Sequence, residues 1–447
     1  MFQGQNSDHL DEVRAEVRTW LKENWQVNLV LGEWWRLLAE AGFAFPTWPV
    51  GMGGRKTQRK EAKIITEEIG RAGALGPPGG VGQMIGGPIL LEFGTEEQRR
   101  RWVPALAAGA EAWCQLFSEP GAGSDLAALQ LRADRDGDRW VLNGQKLWSR
   151  EAEAAERGLV LARTDSSVPK RKGISYFVVD LDQDGVEVRP IRQMNGRATF
   201  NEVFLTDVVV PAENLIGALG QGWPVAQASL MYERVEVGGG GVLRPARIAP
   251  PGRLGGMLDR RISDLIEESR RAERERPVVP GVRTPAAMTR LAQEVGKDQD
   301  PLVRQRIAAM HALSETNRMR MRQARATRRK GRPAGPEASL GKLVSSELGR
   351  EARDISLSLL GAEGMVTDGD ITFGGAFQQM ALSVQSLSIA GGTDEIQRNL
   401  IGERLLGLPR EPEVDRDAPF HQLRVGTQKK DTQKKDTQQE NPDDAGA

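Results

Sequence analysis

Residues 129–144 read LQLRADRDGDRWVLNG, and the fold class turns on this stretch. Leu129, Leu131 and Ala133 alternate with polar residues, Asp136-Gly137 supplies a turn, and Trp140 and Leu142 resume the alternation. Apolar side chains at every second position suit a strand with one buried face. Asn143-Gly144 adds a second hairpin signal. Working outward, β-rich runs follow at Gly158 to Arg163, Ile174 to Val179, Val186 to Ile191 and Phe200 to Val210. Residues 113–212 are therefore expected to form an all-β domain of sandwich or barrel type.

Both flanks read as helical. In 1–112, Leu10, Val13, Val17 and Leu21 step at helical spacing, as do Trp34, Leu37, Leu38 and Ala41. Thr95 followed by Gln98 is a capping-box pattern. The GMGG at Gly51 and the GALGPPGG from Gly73 are expected as loops. In 213–410, helical patterns cover about 301–326, 337–360 and 373–406, after a Pro-, Gly- and Arg-rich interruption at 243–286. The segment 411–447 repeats itself as TQKKDTQKKDTQQ and is expected to be disordered. The class is α+β, with helical domains on either side of a β domain.

Composition narrows the function. Lys and Arg total 61, as do Asp and Glu, so no net field draws the chain to nucleic acid. Cys114 is the sole cysteine, and His9, His311 and His421 are far apart, which argues against a disulfide framework, a metal site and a Ser-His-Asp arrangement. No apolar run approaches the roughly 20 residues of a membrane span, and the polar N-terminus does not read as a signal peptide. The expectation is a cytoplasmic protein.

One helix carries unusual chemistry. Residues 222–241 read GWPVAQASLMYERVEVGGGG, with Pro224 suited to a first turn. Ala226, Ser229, Leu230, Glu233 and Val237 share one face, and Ser229 is small enough to be buried with its hydroxyl bonded back to the helix. A carboxylate on such a stripe is costly to ionise, so Glu233 is a candidate general base. The same position also suits a Glu paired with a nearby Arg or wetted at the stripe's edge.

Four motifs then point to a family. They are FSEPGAGSD (117–125), NGQKLW (143–148), FNEVFLTDVVV (200–210) and AGGTDEIQR (390–398), with GERLLGLPR shortly after. Over about residues 8–410 the chain resembles the acyl-CoA dehydrogenases, flavoenzymes that place a trans double bond between the α and β carbons of an acyl-CoA thioester. The resemblance implies a four-helix-bundle-like C-terminal domain, FAD as cofactor, electron-transferring flavoprotein as acceptor and a homodimer or homotetramer. It places Gln115, Leu116, Phe117, Ser118, Gly123, Ser124, Trp148, Ser149, Arg150, Thr393, Asp394 and Glu395 at the flavin. Ser124, Met231, Arg234 and Gly392 fall toward the substrate.

The reaction needs a base for the α-proton, an acceptor for the β-hydrogen as hydride, and donors for the enolate-like oxygen. Most of the family carries the base in a turn that matches Ala390 to Thr393, where this chain has Gly391. A minority, including isovaleryl- and long-chain-type enzymes, carries it on the earlier helix before an arginine, which matches Glu233 and Arg234. The backbone N–H of Gly391 remains available as an oxyanion donor. Two departures stand out. Arg150 replaces a small hydroxylic residue, and it either turns away, pairs with Glu151 or obstructs the flavin. LGAEG at 360–364 replaces a glutamine-containing loop of many relatives. Alternative readings are a non-catalytic partner subunit of a mixed oligomer, or a same-fold flavin oxidase or monooxygenase.

Overall fold

Amphipathic spacing builds the first layer: α1 (Phe2–Asn24), α2 (Leu31–Glu40), α3 (Arg59–Arg71), α4 (Gly87–Phe93) and α5 (Glu96–Ala107). In this computed structural model the described residues are 2–237, 250–275, 281–329, 337–367, 369–410, 412 and 415–423. Trp34, Trp35 and Leu38 of α2 meet Trp102, Val103 and Leu106 of α5 in one core. The buried indoles need acceptors, and the glycine-rich loop supplies them: Trp34 Nε1 donates to Leu75 O (2.8 Å) and Trp35 Nε1 to Gly76 O (3.0 Å). The capping box forms as expected, with Gln98 N donating to Thr95 Oγ1 (3.2 Å) and Thr95 N to Gln98 Oε1 (2.8 Å). A π-helical turn at Gly82–Gly86 precedes α4.

The β domain holds β1 (Trp113–Leu116), β2 (Arg132–Asp136), β3 (Arg139–Arg150), β4 (Arg157–Arg163), β5 (Ile174–Asp180), β6 (Val186–Ile191), β7 (Phe200–Pro211) and β8 (Leu215–Ile216). They form one mixed sheet in the order β6-β7-β3-β2-β4-β5-β8, with β1 parallel to β4. β2 meets β4 at the single pair Arg132–Arg163, and there the sheet turns on itself. Trp140 of β3 thus packs against Phe177 of β5, ring centroids 5.6 Å apart. The Asp136-Gly137 hairpin is present, Gly137 having φ +62°. Asn143-Gly144 is not a turn. It lies inside β3, where the register with β7 shifts between Leu142 and Gly144. A side chain at Gly144 would start 2.7 Å from Leu131 Cδ1, and Asn143 exchanges bonds of 2.9 Å with Asp207. The dipeptide supplies a bulge, because an antiparallel partner already lies across it.

The helices after the sheet do not act as one unit. α6 (Gly222–Val237) and α7 (Ile262–Glu275) send Val225, Ala226, Ile262 and Leu265 into the N-terminal core. α7 falls within the Arg-rich stretch expected to interrupt the helices. Backbone bonds from Leu31 N to Arg260 O (3.0 Å) and from Ile262 N to Leu29 O (3.0 Å) seat it against the N-terminal layer. A separate core joins α8 (Pro285–Glu294), α9 (Pro301–Arg329), α10 (Glu337–Leu360) and α11 (Ala376–Ser383), through Met288, Met310, Ile355 and Phe377. The helix expected over 373–406 is broken. A 3-10 segment, Val384–Ser388, and a turn with Gly391 (φ +68°) and Gly392 (φ +87°) separate α11 from α12 (Asp394–Arg404). The tail also departs from expectation, since residues 415–423 dock on the β domain with Phe420 and Leu423 buried. Residues 424–447 lie outside the described residues.

Asp394, the first residue of α12, is buried, and its carboxylate accepts bonds from Lys342 Nζ (2.6 Å), Ser346 Oγ (2.8 Å) and Arg350 Nη1 (2.8 Å). Burial works against the charge, but these donors outweigh it and hold the pKa down to about 2. A depressed carboxylate stabilises the fold above its unfolded pKa and loses that contribution as pH falls through the folded value. Asp394→Asn is expected to lower the stability of the C-terminal bundle by about 2 kcal/mol at pH 7, with the difference closing between about pH 4 and pH 2. Denaturant midpoints of both proteins across that range check it.

Candidate active site

The Glu233 helix is held from both sides. Ser229 is fully buried, and its hydroxyl donates to Val225 O (3.0 Å) and shares a bond with Tyr176 Oη (3.1 Å). Burial raises the Tyr176 phenol well above its ordinary range, so the bond joins two neutral groups. One turn on, Tyr232 Oη donates to Glu92 Oε2 of α4 (2.8 Å). Of the predicted stripe, Ala226 and Ser229 are buried, Leu230 and Glu233 are half-buried, and the side chain of Val237 lies outside the described residues. Met231 is exposed, and the side chain of Arg234 lies outside the described residues.

The FSEPGAGSD loop rests on an ion pair that sequence reasoning missed. Lys146 of the NGQKLW motif is fully buried, and its Nζ donates to Glu119 Oε1 (2.8 Å) and Phe117 O (3.0 Å). Glu119 also accepts from Gln130 N (2.6 Å) and Leu131 N (2.9 Å). Burial lowers the Lys146 pKa, with Glu119 opposing. The signal was present: both residues sit inside motifs, and a lysine alternating with apolar strand residues faces inward. The side chains of Leu116 and Phe117 are core, Phe117 lying edge-on to Tyr176 at 5.8 Å, so a ligand there meets backbone. Gly123, Ser124 and Asp125 are exposed, whereas Gln115 and Ser118 are half-buried.

The two motif segments are neighbours, since Leu147 N donates to Ser118 O (2.8 Å). Beyond that bond a second register shift, between Lys146 and Ser149, leaves Trp148 with φ +59° and 55% exposed. A left-handed backbone in a bulky residue costs energy and persists only where the surrounding structure holds it. Arg150 neither pairs with Glu151 nor lies free: its guanidinium sits 5.1 Å over the Phe200 ring, itself edge-on to Trp148 at 6.0 Å. Ser149 Oγ is buried without a partner among the described residues. An uncovered indole, the neighbouring Ser149 hydroxyl without a partner among the described residues, and Gly123, with no described atom within 4 Å of where a side chain would start, fit a planar group with polar edges.

The turn at 390–395 stays within the bundle. Gln397 Nε2 donates to Gly391 O (2.9 Å), Thr393 Oγ1 caps α12 by accepting from Ile396 N (3.3 Å), and Glu395 pairs with Arg398 (3.5 Å). The Asp394 carboxylate is committed to Lys342, Ser346 and Arg350. Among the described residues, no atom lies within 4 Å of where a side chain at Gly391 would start. Among the described residues, hydrogen bonds thus join 117–125 to 146–150, and hold 391–395 within the bundle.

A cleft of about 780 Å³ opens beside the sheet. Leu75, Val81, Trp113, Met257, Ile262 and Leu265 make its apolar walls. Gln83 of the π-helical turn and Glu151, next to Arg150, also line it.

Three family models match in chain order: the acyl-CoA dehydrogenase N-terminal domain at residues 7–110, the middle domain at 114–208 and the C-terminal domain at 286–406. The chain belongs to the acyl-CoA dehydrogenase family. It is 36% identical over 423 residues to acyl-CoA dehydrogenase IpdE1 of Mycobacterium tuberculosis, covering 90% of this chain and 98% of that protein. Among solved structures it resembles the ChsE4-ChsE5 complex from Mycobacterium tuberculosis (26% identity, TM-score 0.61, 90% of this chain and 98% of that one). It also resembles the Tcur3481-Tcur3483 steroid ACAD (25% identity, TM-score 0.63, 90% of this chain and 98% of that one). The chain is an oxidoreductase of this acyl-CoA dehydrogenase family, and among the described residues no helix is long and apolar enough to cross a membrane.

Removing one partner of a buried pair strands the other charge. Lys146→Met is expected to cost about 3–5 kcal/mol in denaturant unfolding, and Glu119→Gln combined with Lys146→Met less than the two single changes added.

Proposed function

We propose that the chain catalyses FAD-dependent α,β-dehydrogenation of an acyl-CoA thioester, with electrons leaving to an electron-transferring flavoprotein. The observation that carries this reading is the half-buried carboxylate of Glu233, on a helix fixed through Ser229 and Tyr232, in a chain whose alternative base position is Gly391. Glu233 takes the α-proton on a carboxylate oxygen. The Gly391 N–H meets the negative charge growing on the thioester oxygen, a role that needs no side chain. Ser124, Met231, Arg234 and Gly392 hold the substrate. Gln115, Ser118, Gly123, Trp148, Ser149, Thr393 and Glu395 hold the cofactor, with the backbone of Leu116 and Phe117. Bound FAD supplies the acceptor for the β-hydrogen. Arg150, drawn onto Phe200, leaves the indole face of Trp148 half uncovered for it.

The acyl group goes to the 780 Å³ cleft, whose walls include the π-helical turn beneath α6 and the chain just after Arg150. That volume is in the upper range of small-molecule sites, which suits a ring-bearing acyl group. Similarity to the Tcur3481-Tcur3483 steroid ACAD supports the same substrate class. The reading of this chain as one subunit of a mixed oligomer is favoured by its likeness to the ChsE4-ChsE5 complex.

Purified protein is expected to be yellow and to bleach anaerobically when a substrate acyl-CoA is added. A colourless protein that FAD cannot colour overturns the cofactor assignment. Glu233→Gln is expected to keep bound flavin and lose α-proton exchange with solvent, with turnover falling about 10²- to 10⁴-fold. Unchanged turnover in that variant assigns the base elsewhere.

A further inference from the structure

Segment 415–423 is the part of the described chain that the reaction above does not use, yet it is firmly docked. Phe420 N donates to Val168 O (2.9 Å), His421 N donates to Ser166 O (3.0 Å), and Pro419 bridges to Pro169. Its target is Arg163 at the end of β4, 4% exposed, with the Phe420 ring centroid 3.6 Å from the guanidinium carbon. On its other side the guanidinium donates through Nη2 to Ala127 O (2.7 Å) and Leu129 O (3.0 Å), and through Nη1 to Lys170 O. A second line runs beside it. Lys170 Nζ lies 3.6 Å from Asp415 Oδ2 and 3.0 Å from Asp125 Oδ2.

Both lines end on one turn. Ala127 and Leu129 lie two and four residues after Asp125, the last residue of the FSEPGAGSD loop. Lys170 thus holds Asp125 directly, and Arg163 holds the carbonyls of Ala127 and Leu129 just after the exposed residues Gly123–Asp125, so the C-terminal segment pairs one grip and covers the other. A cation packed against an aromatic face away from water is held in place more strongly than one left to solvent. Without Phe420, water would reach Arg163 and compete for its hold on the 127 and 129 carbonyls.

We propose that residues 415–423 form a strap that positions the Gly123–Asp125 turn for coenzyme A, with Phe420 acting through Arg163 and Asp415 through Lys170. This rests on the reading that Ser124 contacts the acyl-CoA. The strap residues touch no reacting atom and are positioning residues. Their effect is on affinity for the CoA portion common to every substrate of this class.

The test uses full-length, flavin-loaded protein and coenzyme A itself as the probe, with Kd measured by calorimetry. Phe420→Ala is expected to raise that Kd about tenfold. Phe420→Tyr, which keeps the aromatic face, restores it, and the affinity for FAD and the visible flavin spectrum stay unchanged. Asp415→Asn raises the Kd in the same direction by a smaller factor, and it carries the test if the alanine variant does not fold. Ser124→Ala separates the two layers of inference. If it leaves the Kd unchanged, the substrate reading of that turn fails. If it raises the Kd while Phe420→Ala, or Asp415→Asn in its place, does not, the strap fails and the substrate reading stands. A change in FAD affinity without a change in CoA affinity also overturns the strap.

Discussion

A lysine with no solvent contact and the glutamate it pairs with hold the centre of this molecule. Lys146 and Glu119 come from strand and loop segments that both carry family motifs, and the pair fixes their spacing. Glu119 further gathers the 130 and 131 amides, so one carboxylate ties down the whole return of the FSEPGAGSD loop. An ion pair in the interior is seldom a net gain over apolar packing, because both charges lose their hydration. Its value is directional. Unlike an apolar contact, it is satisfied in one geometry, and losing that geometry strands a charge.

What sits above the pair inherits that rigidity. Lys146 is anchored at one edge of the second bulge of β3, and two residues on Trp148 takes its left-handed backbone and turns outward. Arg150, which the sequence left free to turn away, pair with Glu151 or obstruct the flavin, lies over the Phe200 ring. On the facing element, the Ser229–Tyr176 bond and the Tyr232–Glu92 bond set the rotation of α6, and with it the direction of Glu233. Both halves of the proposed chemistry therefore stand on short polar contacts, buried at Lys146 and Ser229 and exposed at Tyr232. Loops with few such contacts would leave the reacting groups free to wander.

The C-terminal bundle follows a different logic. Its buried anion, Asp394, gathers Lys342, Ser346 and Arg350 and fixes the start of α12, so the turn at 391–393 is set by the bundle itself. Gly391 and Gly392 adopt backbone angles that other residues resist, which explains the small residues there independently of catalysis. Under the proposed reading, a glycine in this turn and a carboxylate on α6 are one arrangement seen from two sides. The chemistry needs a single base.

The sequence by itself determined the order of helices, sheet and helices, the strand runs, the α5 cap, the buried face of α6 and the family. These depend on periodicity and on neighbours a few residues apart, which a linear chain displays directly. Only the tertiary structure decided that Asn143-Gly144 is a bulge, since a partner strand 60 residues away lies across it. It likewise decided that Lys146 meets Glu119, that α7 joins the N-terminal core, and that residues 415–423 leave the polar tail to cover Arg163. Each of these joins groups far apart in the chain. Their pairing energy depends on which partner arrives, and composition does not record that.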